Sequence, residues 1–253
     1  MNKQIIIAFL LTIIAGLSTL LELIVIIFKP KNEKKLICRT LSFAAGVMIC
    51  VSVTDLIPES IKLLKEILNP FKTILFCFLS IITGILLSYI IEKILPDNNK
   101  KTTNNKELYK IGIISMITII IHNIPEGIIT FIGTTSNLKL GINLAIAIAL
   151  HNIPEGISIG VPIYYSTKNK KLAFIYVLIS AFSEPLGGLL AFIFLKNLIN
   201  NFILGILFGL IAGIMTRISL NELIPKSYKY GNKLLVEIWF MIGVILMLVN
   251  IMF

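Results

Sequence analysis

Residues 111–131 read IGIISMITIIIHNIPEGIITF. This run of 21 residues has one formally charged side chain, Glu126. About 20 apolar residues are what an α-helix needs to cross a bilayer. A backbone in hydrocarbon must satisfy its own polar groups, so the stretch is a spanning helix. Its polar hexapeptide, His122-Asn123-Ile124-Pro125-Glu126-Gly127, occurs again as His151-Asn152-Ile153-Pro154-Glu155-Gly156 inside the next apolar run. Both histidines of the chain lie in these two copies.

Outward from this pair, the rest of the chain is equally apolar. It has 253 residues, 57% hydrophobic and 14% charged, with mean hydropathy +0.94. A soluble globule carries about 25% charged residues. Eight apolar segments are read at residues 5–28, 41–60, 72–95, 111–131, 139–163, 172–195, 202–224 and 234–252. Eight spanning helices need about 160 residues, which leaves short loops and no soluble domain. The expectation is an all-α polytopic membrane protein, one transmembrane domain over residues 1–253. Single-span anchors, peripheral enzymes and nucleic-acid binders are excluded. The first segment contains Glu22 and is too long for a signal-peptide core, so it reads as a retained helix.

The linkers PKNEKK (30–35), PDNNKKTTNNKELYK (96–110), STKNKK (166–171) and PKSYKYGNK (225–233) explain the net charge of +10. The loops that contain them hold 5, 5, 3 and 3 Lys and Arg residues, against six on the opposite side. Positive charge marks the cytoplasmic face, so both termini are expected outside. The 21 Lys to 2 Arg, with abundant Asn and Ile, point to an AT-rich bacterial genome and a plasma membrane. Cys38, Cys50 and Cys77 have no paired spacing and read as small buried hydrophobes.

Six acids lie inside apolar segments: Glu22, Asp55, Glu126, Glu155, Glu184 and Glu222. Each costs about 2.5–3.5 kcal/mol at mid-bilayer on insertion scales. Arg217, the one intramembrane Arg, offsets one or two of them. Clustered carboxylates with so few basic partners call for a bound cation. Glu59, Glu92 and Glu237 stand near helix ends, where interfacial water accounts for them.

His and Glu four residues apart share a helix face, and Asn flanks it. Pro frees a carbonyl one turn earlier, and Gly after Glu lets a neighbouring helix approach. Helices 4 and 5 are antiparallel, so the two copies face each other. Imidazole with carboxylate suits zinc, iron, manganese or cobalt and suits sodium or potassium poorly. Ser183-Glu184-Pro185-Leu186-Gly187-Gly188 in helix 6 supplies a third wall with its own acid and proline.

A second repeat reads S-x-x-[DE]-L-I-P-x-S, at Ser52–Ser60 ending helix 2 and at Ser219–Ser227 ending helix 7. The two helices run in opposite directions, the pattern of inverted repeats arranged three, two, three. It places Asp55 near the outer mouth of a pathway and Glu222 near the inner mouth. Gly141, Ala145 and Ala149 form a small-residue face on helix 5.

On these residues the chain resembles the ZIP (Zrt/Irt-like) divalent metal transporters, of the bacterial ZupT type, over its whole length. The resemblance implies metal uptake into the cytoplasm through a mid-membrane site of one or two metals. His122, Glu126, His151 and Glu155 would form one metal site. Asn123, Asn152 and Glu184 would join the shared Glu126 and Glu155 at the other. Asp55 would stand on the entrance route. It also implies an elevator-like motion of a bundle containing helices 4 and 5.

Two departures stand out. Some relatives carry Gln-Asp where this chain has His151-Asn152, which removes a carboxylate from the second site. Loop 3–4 has no His, against a metal-collecting role. Zinc is the expected cargo, with iron, manganese, cobalt and cadmium as alternatives, and no cofactor is needed beyond the transported ion. The partners are the metal ions and the lipid bilayer, with no nucleic acid; a homodimer is compatible with the sequence. The competing readings are an intramembrane metal-dependent enzyme, against which the chain has no HExxH, and a metal exporter.

Overall fold

The computed structural model describes residues 3–22, 24, 32–94, 104–194 and 200–252. Among them every regular element is helical. Helix α1 spans Lys3–Ser18 and tightens into a 3₁₀ turn over Thr19–Glu22. Helix α2 covers Glu33–Lys65, α3 Pro70–Ile94, α4 Asn104–Ser136 and α5 Leu138–Thr167. Helix α6 comes in two pieces, Lys170–Ala181 and Ser183–Phe194; α7 covers Asn201–Tyr230 and α8 Lys233–Met252. The first seven are long and apolar enough to cross a membrane, with mean hydropathy between 1.5 and 2.6. The eighth has 20 residues, about 30 Å of helix.

Asparagine starts many of these helices. The side chains of Asn32, Asn69, Asn169, Asn200 and Asn232 accept from the backbone N–H three residues on, at 2.9–3.1 Å. This is N-capping, which satisfies donors that the first turn leaves unpaired.

Several helices outrun the apolar segments that announced them. Helix α2 begins at Glu33 instead of residue 41, α4 at Asn104 instead of 111, and α7 ends at Tyr230 instead of 224. Apolar runs report only the part in hydrocarbon, about 30 Å thick. A 33-residue helix is about 50 Å long, so α2 carries its charged ends beyond that layer. The linkers 30–35, 96–110 and 225–233 are therefore partly helical. Residues 25–28 of the first segment lie outside the described residues, as does the Glu22 side chain.

Pro58 and Pro225 do not end their helices. A π turn precedes each, at Ser52–Leu56 and Ser219–Leu223, and helix continues to Lys65 and Tyr230. Proline cannot donate and crowds the carbonyl four residues back. The wider π turn absorbs the mismatch, so both motifs become bulges within long helices.

The two halves pack alike. Helix α2 lies on α8, and α7 lies on α3. A Cβ on Gly46 would stand 2.1 Å from the Phe240 carbonyl oxygen, and one on Gly243 would stand 2.3 Å from that of Phe43. Gly213 and Gly84 meet the Ile81 and Leu210 carbonyls in the same way, at 2.1 and 1.9 Å. Gly46 precedes Ser52 by as many residues as Gly213 precedes Ser219. The same backbone approach recurs in each half, as small residues permit in membrane helices.

Helices α4 and α5 occupy the middle. Helix α4 packs along α5 and α6, and α1 crosses both α4 and α5. Helices α2, α4, α5 and α7 are the buried ones. The apolar windows of α1 and α3 are only 28% and 22% buried, and present side chains such as Ile14, Phe71 and Ile74 outward. Such an apolar exterior is a lipid-facing surface.

Candidate metal centre

The two hexapeptides meet where α4 and α5 run antiparallel. His151 Nε2 lies 2.8 Å from Glu126 Oε1. His122 Nε2 lies 3.2 Å from the same oxygen and 3.3 Å from Glu155 Oε1. The imidazole centroids are 6.1 Å apart. Glu126 thus stands between the two histidines, and Glu155 closes the far side of His122. One ligand atom each from His122, Glu126 and His151 fall within 4.8 Å of one another.

Both helices continue through their prolines, since Pro125 and Pro154 lie inside unbroken α4 and α5. Helix α6 does break, at Phe182. Pro185 follows in the first turn of the second piece, where its missing N–H costs little. The break sets Glu184 at the start of that piece, facing the α4–α5 pair. A Cβ on Gly127 would stand 1.9 Å from the Glu184 carbonyl oxygen, and one on Gly187 would stand 2.0 Å from that of Ile124. The glycine after Glu126 therefore lets α6 press its backbone onto α4.

Asn152 turns to this third wall. Its Nδ2 donates to Glu184 Oε2 at 2.8 Å and to the Ala15 carbonyl of α1 at 2.9 Å. Asn123 lies beside it in sequence register and is fully buried.

Few of these atoms are satisfied. His122, Asn123, Glu126, His151, Asn152, Glu155 and Glu184 are all at most 7% exposed. No hydrogen-bond partner reaches Nδ1 or Nε2 of His122, either amide atom of Asn123, Asn152 Oδ1, Glu126 Oε2, either oxygen of Glu155, or Glu184 Oε1. Buried polar atoms are normally paired, and each orphan costs about 1–3 kcal/mol. Concentrated in one place, they describe a site shaped for a charged guest.

The two acids expected from the sequence at the mouths of a pathway divide. Asp55, in the π turn of α2, lies within electrostatic reach of His151 and Glu126. It belongs to the surroundings of the His/Glu cluster. Glu222, in the matching π turn of α7, stays away from it. Its neighbours are Glu92, Lys226 and Arg217.

Glu92 needs another account than interfacial water. Arg217 binds it through Nη2 and reaches Ser88 Oγ through Nη1 at 3.2 Å, with its guanidinium 5.3 Å from the centroid of the Tyr89 ring. The signal was present in the sequence: a lone intramembrane Arg needs a partner, and α3 offers one acid near the level of Arg217.

The chain is similar to known proteins over nearly its whole length. The family described as ZIP Zinc transporter matches residues 2–110 and 96–251. Zinc transporter ZupT of Clostridium perfringens is 36% identical over 275 residues, spanning 99% of this chain and 96% of that protein. Zinc transporter ZupT of Streptococcus mutans is 36% identical over 261 residues, spanning 100% and 99%. That of Campylobacter jejuni is 37% identical over 262 residues, spanning 91% and 90%. With these matches over a multi-pass, all-helical chain, the protein belongs to the ZIP zinc transporter family.

Proposed function

We propose that this protein carries divalent transition-metal ions, zinc first, across the bacterial cell membrane into the cytoplasm. His122, Glu126, His151 and Glu155 bind the ion on its way. The observation that carries the reading is the buried His/Glu cluster at the centre of the α4–α5 pair, with most of its polar atoms unpartnered. Tetrahedral zinc with bonds of about 2.0 Å sets its ligand atoms roughly 3.3 Å apart. The His122–Glu126 and His122–Glu155 separations, 3.2 and 3.3 Å, suit that geometry.

Asn123, Asn152 and Glu184 offer a second ion amide and carboxylate oxygens, with Glu126 and Glu155 shared between the two positions. Asn152 orients Glu184 through its hydrogen bond. This oxygen-rich half suits harder ions better than the imidazole half does. Asp55 draws the cation toward His151 from α2, and Glu222 belongs to the way out.

Orientation follows from charge. With the lysine-rich loops in the cytoplasm, the α2 motif faces outward and the α7 motif inward. Residues 1–253 act as one transport unit whose cluster is complete within one chain, so a homodimer would hold two separate pathways. The relatives are named as transporters, which favours carriage over hydrolysis.

The test is uptake into proteoliposomes loaded with a metal-sensitive dye, offering zinc, iron, manganese and magnesium in turn. Uptake of the transition metals ahead of magnesium supports the reading. Metal bound by the protein with no flux of any of them would favour a sensor or enzyme.

A further inference from the structure

The helices fall into two sets. Helices α1, α4, α5 and α6 carry the whole His/Glu/Asn cluster, and α2, α3, α7 and α8 form the mirrored pairs described above. The sets meet mainly where α2 touches α5 and α7 touches α4. On the lysine-rich half of this seam the packing is apolar and continuous: Leu108 and Ile111 of α4 with Val161 and Tyr165 of α5 join one core with Leu41 of α2 and Ile218 of α7.

At the end of that apolar packing stand ion pairs. Glu107 of α4 binds Lys226 and Lys229 of α7, at 2.7 and 2.9 Å. Lys168, at the end of α5, binds Glu33 at the start of α2 at 2.6 Å and lies 4.8 Å from the centroid of the Tyr165 ring. All three pairs join one set to the other, and all lie on the lysine-rich face. On the opposite face Glu59 pairs with Lys62 within α2, and Glu66 with Asn201 between α2 and α7, inside one set.

We propose that Glu107 with Lys226 and Lys229, and Lys168 with Glu33, form a latch that holds the cytoplasmic side of the seam shut and must part before the ion leaves. This rests on the transport reading only for what passes through; the latch itself is a property of the seam. The pairs are partly exposed, so each is weak and reversible, as a latch broken in every cycle must be. Closing a stronger buried pair would trap the closed state. The apolar packing beneath keeps water from the cluster while the latch is closed.

The test uses the full chain with Val161→Cys, a position fully buried in the seam, in membranes whose cytoplasmic face is open to a membrane-impermeant maleimide. The parent chain, with Cys38, Cys50 and Cys77 all buried, sets the background. Glu107→Gln is expected to speed labelling about fivefold, the scale of losing two exposed ion pairs. Lys226→Gln/Lys229→Gln should do the same by the other partner. The swapped chain, Glu107→Lys with Lys226→Glu and Lys229→Glu, should return labelling to the starting rate. Unchanged labelling in both neutralised chains, or a swapped chain as fast as Glu107→Gln, would overturn the latch. Labelling that rises as expected in a protein that moves no zinc would leave the latch standing and remove the transport reading instead.

Discussion

The two sides of the α4–α5 pair use the same hexapeptide differently. Toward one side it presents His122, His151 and the carboxylates of Glu126 and Glu155, all within a few ångströms. Toward the other it presents Asn152, with Glu184 brought in by α6 and held by that amide. The first side has nitrogen donors and needs no other helix to be complete. The second has only oxygen and amide groups, and depends on the close approach of α6. On the proposed reading, a repeated motif thus yields two unequal binding positions, one suited to borderline metals and one to harder ions.

Breaking the shared residue should do most. Glu126 touches both histidines, so Glu126→Ala is expected to reduce zinc uptake to the level of empty liposomes while the protein still elutes as a folded species. Removing His122 or His151 alone strips one nitrogen ligand; uptake should fall by at least about a hundredfold, beyond the loss typical of removing an outer-shell partner. Acid should act on the same side. Protons compete with metal for imidazole nitrogen and carboxylate oxygen, so zinc affinity is highest with the ligands unprotonated and falls as pH is lowered, which titrations at several pH values would show.

The second side should yield less. Gly127→Ala places a methyl group against the Glu184 carbonyl oxygen, forcing α6 off α4 at about 1–3 kcal/mol. A lowered thermal midpoint, with zinc still bound at the histidines, is the expected signature. Glu184→Gln and Asn152→Ala should cut uptake about tenfold, and leave zinc binding to the histidine side within a fewfold of the parent. Asp55→Asn, which touches neither side directly, should change only the apparent KM for zinc, by a fewfold in the direction of weaker capture.

Much of this was legible in the chain. The eight apolar segments, the facing hexapeptides and the third acid of helix 6 follow from length, hydropathy and the i, i+4 rule. Helix ends were legible only where hydrocarbon ends, because charged residues continue α2, α4 and α7 beyond it without an apolar signal. Pro58 and Pro225 misled for a different reason. A proline reads as a stop in an isolated helix, but two long, packed helices pass it with a π turn. The inverted repeat was visible in nine residues, whereas its reach shows in Gly46 and Gly213, whose meaning depends on a carbonyl from a helix far away in sequence. Glu92 was misjudged because position near a helix end says nothing of Arg217 across the interface. The inequality of the two sides was half legible: His and Asn are in the sequence, but the bond from Asn152 to Glu184 depends on the break at Phe182.

The most direct test of the central claim is paired measurement of zinc binding and zinc uptake on the wild-type chain and on His122→Ala/His151→Ala, each reconstituted at equal density in proteoliposomes. The account predicts that the double variant, folded and correctly inserted, loses both tight zinc binding and uptake. Zinc uptake at the wild-type rate without the two imidazoles would contradict it.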